Sequence, residues 1–159
     1  MSKIPKRDFT IVIEGNPLVG KNSLRHQFIN QSFPSNVGSS SVWTVNKKSF
    51  DFKAYRFELS IWVTDGKKQC RSETPDFNGY NHCCFLVFDV SNRESFEALD
   101  SWRKLCIEKI VPKGRTFPIA VIGNKIDKKI RTVSTQEAQK WCDDRLIPYF
   151  ECSAQDGTA

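Results

Sequence analysis

Residues 15 to 23 read GNPLVGKNS, and the spacing of Gly15, Gly20 and Lys21 is that of a loop built to hold phosphate. Successive backbone N–H groups of such a loop, with the positive end of a following helix, surround the anion, and the lysine neutralises its outer oxygens. The cradle then comprises Gly15, Leu18, Val19, Gly20, Lys21, Asn22 and Ser23. A second stretch, GNKID, carries Asn124, Lys125 and Asp127. A carboxylate at position 127 accepts two hydrogen bonds from the N1–H and 2-amino group of guanine. Adenine has no such donor pair and leaves the acid unpaired, a mismatch that discriminates by roughly 10⁴. Asn124 can brace neighbouring loops, and the stem of Lys125 can lie over the base. A third stretch, ECSAQ, sets Ser153, Ala154 and Gln155 where backbone N–H groups can meet the guanine carbonyl.

These residues need a frame that brings their loops to one edge. Short, near-continuously apolar runs recur at 9–14, 57–63, 83–90, 117–123 and 148–153, as expected of strands covered on both faces. Helical segments fall between them, at 20–31, 92–110 and 135–145. Ser91 with Glu94, and Ser134 with Glu137, have the spacing of capping boxes. Residues 43–52 and 54–63 form a hairpin about Lys53 and Ala54. The alternation predicts an α/β fold with helices on both faces of a mostly parallel sheet and one antiparallel edge strand, its ligand at the carboxyl ends of the strands. Asp89, at a strand end, and Trp102, on a helix face, are read as structural.

The bulk properties exclude several classes. The chain has 159 residues, enough for one core, with 39% hydrophobic and 26% charged residues. No segment approaches the ~18 consecutive apolar residues of a membrane span, and the start, MSKIPKRDF, lacks the apolar run of a secretory signal. A cytoplasmic protein is expected. The six cysteines (Cys70, Cys83, Cys84, Cys106, Cys142 and Cys152) form no zinc-like spacing and read as free thiols. Net charge is +6, but its basic pairs are scattered and no aromatic-basic RNA signature accompanies them, so no nucleic-acid partner is expected.

Three motifs in this order are far more specific than any one of them. With LSIW before residue 63, RSETPDFNGY, CCFLVFDVSNRESFEALDSW and VSTQEAQKWC, the chain resembles a small GTPase of the Ras superfamily, and within it the Rab family, most of all the late-endosomal Rabs. The resemblance runs from about Asp8 to the end. It implies a three-layer P-loop G domain with a six-stranded sheet, residues 1–8 as an N-terminal extension and 9–159 as the domain. It also implies GDP/GTP as ligand and conversion of GTP to GDP and phosphate. Rab regulators, such as exchange factors and GDP-dissociation-inhibitor-type proteins, and effectors would be its partners, in vesicle and protein transport with endosomal membrane association through those partners.

Departures from the family pattern gather at the magnesium and γ-phosphate end. Asn22 stands where a hydroxyl ligates magnesium, and Val63 where a carboxylate holds the metal's shell. Lys67 stands where a glutamine orients the attacking water, and Gly66, whose N–H would contact the γ-phosphate, is kept. Glutamine both accepts and donates, whereas an ammonium only donates. Lys67 and Lys68 are either a replacement charge at the phosphate or solvent-facing side chains. Asp65 lies ~6.6 Å further along an extended chain than position 63, too far to substitute for it. Pro17 removes a loop N–H, and Leu18 stands where glycine is usual.

Asn22 and Ser40 are what remains to ligate magnesium. The expectation is therefore weak or lost Mg²⁺, a bias toward GDP, and impaired hydrolysis. The alternative is an interaction module that occupies Rab regulators without nucleotide. The chain stops at Ala159, where a G domain's last helix would begin. The expectation is a domain lacking that C-terminal helix and any prenylation motif.

Overall fold

A computed structural model describes residues 4–36, 43–67, 82–109 and 116–159. Six strands, β1 (Lys6–Glu14), β2 (Trp43–Phe52), β3 (Tyr55–Thr64), β4 (Cys83–Asp89), β5 (Ile119–Asn124) and β6 (Tyr149–Cys152), form one sheet in the order β2-β3-β1-β4-β5-β6. β2 pairs with β3 antiparallel, and the other pairings are parallel. The predicted mostly parallel sheet with one antiparallel edge strand is the observed one.

The apolar runs are explained by two-sided burial. Val12 of β1 and Leu86 and Phe88 of β4 point to one face. There they pack on Phe96 of α2 (Arg93–Glu97), Leu99, Trp102 and Cys106 of α3 (Leu99–Lys109), and Ala138 and Cys142 of α4 (Thr135–Asp143). Ile13, Ile61, Val63 and Val87 point to the other face, against Leu24 and Ile29 of α1 (Lys21–Asn30). Successive residues of one strand thus feed two cores.

Several boundaries differ from the sequence reading, each for a local reason. β1 begins at Lys6 because its backbone pairs with β3 from Lys6 opposite Arg56 onward. Lys6 there meets Glu58 at 3.1 Å, so pairing needs no apolar side chain. The single helix predicted over 92–110 is two, α2 and α3, meeting at Ala98. Its cap is Asn92, which accepts from the Ser95 N–H, while Ser91 turns back to the Asp89 carboxylate. The second capping residue is as expected, with Ser134 Oγ accepting from the Glu137 N–H at 3.1 Å.

β1 lies between β3 and β4, so chain leaving β1 and chain leaving β4 diverge to opposite faces and open a crevice at their carboxyl ends. The phosphate-type loop leaves β1 at that point, and the GNKID loop leaves β5 one strand beyond β4.

Phe88 is fully buried between Phe96 (ring centroids 5.1 Å apart) and Tyr149 (6.2 Å). Phe88→Ala is expected to lower the free energy of unfolding in urea by about 3–5 kcal/mol. Ile130→Ala, at a side chain 77% exposed, should change it by no more than about 0.5 kcal/mol.

Candidate functional site

Residues 15–20 turn between β1 and α1, and Lys21 opens the helix. Its aliphatic stem is buried and its Nζ donates to the carbonyls of Gly15 and Asn16, both at 2.7 Å. The loop is therefore wrapped around its own ammonium. No side chain caps α1, whose N-cap is Gly20 in the left-handed region, so the first helical amides are left facing the loop. Leu18 also adopts a left-handed backbone (φ 65°) with its side chain 87% exposed. That conformation costs a branched residue about 1–3 kcal/mol and accounts for the glycine expected there. From α3, the Trp102 indole N–H donates to Asn16 Oδ1 at 2.7 Å and pins the loop's near side.

On the far side the three motifs converge. Asn124 Nδ2 donates to the Val19 carbonyl at 2.9 Å, and its Oδ1 accepts from the Ala154 N–H at 3.2 Å. A β-carbon at Gly20 would lie 2.3 Å from that amide nitrogen, so the tie requires glycine. Lys125 reaches back to the Leu18 carbonyl at 2.6 Å and to Asp89 Oδ2 at 2.8 Å, which Lys128 also approaches at 3.3 Å. Burial works against the Asp89 charge, but the Lys125 and Ser91 hydrogen bonds outweigh it and hold its carboxyl below the usual range. Asp127 is exposed and accepts from Ser153 Oγ at 2.6 Å, and that oxygen in turn accepts from the Gln155 N–H at 3.2 Å. Asp89 and Trp102, read from sequence as structural, thus touch the site directly. An indole N–H on a buried helix face must find an acceptor, which was the available signal for Trp102.

The third sector holds the divergent residues. Asn22 is half-buried, and its Oδ1 accepts from the Thr44 hydroxyl of β2 at 3.3 Å. Arg25, one turn along α1, donates to that same hydroxyl. Val63 is 1% exposed, packed in the apolar core with Ile13, Val19, Ile61 and Val87. Thr64 Oγ1 donates to the buried Glu14 carboxylate at 2.8 Å. Glu14 was legible as a lone charge closing an apolar run, yet the sequence reading assigns it no role.

Gly66 is buried with a left-handed backbone. A β-carbon there would lie 2.6 Å from the Gly15 oxygen, Lys21 Nζ and the Pro17 nitrogen. The chain after β3 therefore rests on the phosphate-type loop. Asp65 accepts from the Lys67 N–H at 2.8 Å, and the Lys67 side chain is exposed. Ser40 and Lys68 lie outside the described residues. Among the described residues no group of three or more His, Cys, Asp or Glu side chains could hold a metal.

Fold and site together define a P-loop α/β nucleotide-binding domain. A Ras family model matches residues 10–159. Ras-related protein Rab-7b of Homo sapiens is 38% identical over 156 residues, covering 98% of this chain and 78% of that protein. Ras-related protein Rab-9A of Rattus norvegicus is 37% identical over 153 residues, covering 94% and 76%. Ras-related protein RABG3e of Arabidopsis thaliana is 37% identical over 153 residues, covering 93% and 74%. The chain belongs to the Ras family, as a Rab-like small GTPase, which is the family the motifs resemble. No helix among the described residues is long and apolar enough to cross a membrane.

Burial pushes the Lys21 amine from 10.5 down to about 8, against the opposing pull of the Glu14 and Asp65 carboxylates. Below pH 8 the amine is charged in folded and unfolded chains alike, and the folded state bears the desolvation. As pH rises from about 8 toward 10.5, the unfolded chain binds the extra proton and stability rises. In urea denaturation, wild type should therefore gain up to ~3 kcal/mol relative to Lys21→Met across that interval. Cys142 and Cys152, raised by burial to about 11 and 12, act oppositely but equally in both proteins and cancel in the difference.

Proposed function

We propose that the chain is a Rab-like guanine-nucleotide switch of vesicle and membrane traffic, biased toward GDP, with GTP hydrolysis slow or lost. The observation that carries the bias is the seating of Gly66. Its β-position lies 2.6 Å from Lys21 Nζ, which puts Gly66 Cα within about 4.1 Å of that nitrogen, one further carbon–carbon bond away. Two donors that share one phosphoryl oxygen stand roughly 4.5–5.5 Å apart, so the Gly66 segment sits at or inside the spacing a third phosphate would need. On this reading a third phosphate would compete with the segment for the space beside Lys21, Gly15 and Pro17, and a diphosphate would do so less.

The guanine reading is supported by the exposed Asp127 carboxylate, which Ser153 holds at 2.6 Å, and by the Lys125 stem anchored at both Leu18 and Asp89. The loss of hydrolysis is supported by Lys67, whose exposed ammonium cannot accept a hydrogen bond from water. The donor set fits magnesium poorly. The Asn22 oxygen already accepts from Thr44, and Val63 offers hydrocarbon where a carboxylate is expected. On this reading the partners are the regulators and effectors of the Rab family, which bring the protein to endosomal membranes.

Fluorescent GDP and GTP titrations with magnesium present test the bias. The expected outcome is GDP binding in the micromolar range or tighter and GTP weaker by about tenfold or more, a difference of ~1.4 kcal/mol. Equal or tighter GTP binding overturns the bias, and absence of binding by either nucleotide overturns the guanine reading. In a single-turnover assay no phosphate release above the uncatalysed rate is expected. Rapid magnesium-dependent cleavage would show that other groups position the water. Asp89→Asn, which frees Lys125, is expected to weaken GDP by about tenfold, the order of one charge-assisted hydrogen bond.

A further inference from the structure

Three residues from two elements line up beside the phosphate-type loop. On α1, Asn22 and Arg25 are three residues apart and share a helix face. On β2, Thr44 stands directly opposite Val63 of β3, so the two side chains project to the same sheet face, the one α1 covers. The hydroxyl of Thr44 accepts from the Arg25 guanidinium and donates to Asn22 Oδ1 at 3.3 Å. Every polarity in this row is then fixed. One lone pair of the Asn22 oxygen is taken by Thr44, which sets how the carboxamide faces and leaves its NH₂ group, a pair of donors, outside that bond.

The row has consequences for charge. Arg25 is partly buried, and among the described residues its recorded contact is a neutral hydroxyl. Val63, opposite Thr44, places hydrocarbon rather than an acid on the face that Arg25 shares. A guanidinium removed from water without a counter-anion is unfavourable until an anion arrives. The first amides of uncapped α1 and the Lys21 ammonium lie at the loop end of the same helix. The Asn22 oxygen can meet a cation only alongside the Thr44 hydrogen, with its one remaining lone pair, whereas its NH₂ group can donate to a phosphate oxygen with that bond intact.

We propose that the chain binds the diphosphate of its nucleotide without a divalent cation, with Arg25 supplying the charge and Thr44 holding Asn22 in the donor orientation. This rests on the guanine-nucleotide reading and replaces its metal ion with an internal cation. Thr44 is a positioning residue, because it acts through Asn22.

The test compares fluorescent GDP affinity in magnesium chloride and in excess EDTA. Wild-type affinity is expected to change by less than about threefold between the two. In EDTA, Arg25→Met should weaken binding by about tenfold or more, the scale of one charge-assisted hydrogen bond. Arg25→Lys should recover part of the loss, and Thr44→Val should weaken binding several-fold, with far-UV circular dichroism reporting the fold of each variant. Binding in magnesium that falls tenfold or more in EDTA would overturn the proposal while leaving the guanine reading intact. An Arg25→Met variant that is folded and binds like wild type in EDTA would also overturn it. No binding in either buffer would instead overturn the guanine reading itself.

Discussion

The carboxamide of Asn124 is the interaction on which the site depends. With one donor on the Val19 carbonyl and one acceptor on the Ala154 N–H, it holds the loops after β1, β5 and β6 in a single arrangement. Asn124 is itself 1% exposed, so both of its bonds form where an unpaired polar atom would be costly. Gly20 is the complement, because any side chain there would strike the amide. The placement of Lys125 and Asp127 follows from this tie, since they continue the same turn. The Lys125 reach to Leu18 and Asp89 closes the arrangement from the other side.

Much of this was legible in the sequence, and the legible part has a common physical character. Strands buried on both faces must be apolar at every position, so β1, β4 and β5 announce themselves, and loops between such strands and helices have few workable chemistries. What stayed hidden depends on side chains that meet only in three dimensions. Thr44, Arg25 and Asn22 are separated by up to 22 residues and carry no pattern along the chain. The Trp102 bond to Asn16 spans 86 residues. The split of α2 from α3 and the shift of the cap from Ser91 to Asn92 show a subtler limit. Both residues can cap, and only the competing Asp89 carboxylate decides between them.

The two ends of the site differ in how their charges are balanced. At the base end each charge has a fixed partner: Asp89 stands between Lys125 and Lys128, and Ser153 supports Asp127. At the phosphate end the balance is internal to the loop. Lys21 is neutralised in part by carbonyl dipoles and in part by the Glu14 and Asp65 carboxylates, while hydrocarbon occupies position 63. A bound phosphate would compete with those carboxylates for Lys21, and each added negative charge deepens the competition. On the proposed reading the repulsion from Glu14 and Asp65 grows with nucleotide charge and offsets part of the added attraction to Lys21 and Arg25, in the same direction as the seating of Gly66.

Val63 links the two effects. As a buried aliphatic residue it strengthens the core formed by Ile13, Val19, Ile61 and Val87, which lies directly beneath the phosphate-type loop. Full burial of a valine side chain contributes about 1.5–3 kcal/mol, whereas a carboxylate at the same depth would need a cation to be tolerated. A chain that dispenses with that cation can therefore place hydrocarbon at position 63 and stiffen the floor of the site. Arg25, bonded to the Thr44 that stands opposite Val63, then has hydrocarbon rather than an acid on that face. On the proposed reading, stability of the apo fold and affinity for an anion meet at one residue, since Val63 packs the core that holds the loop and brings no acid to the face that Arg25 shares.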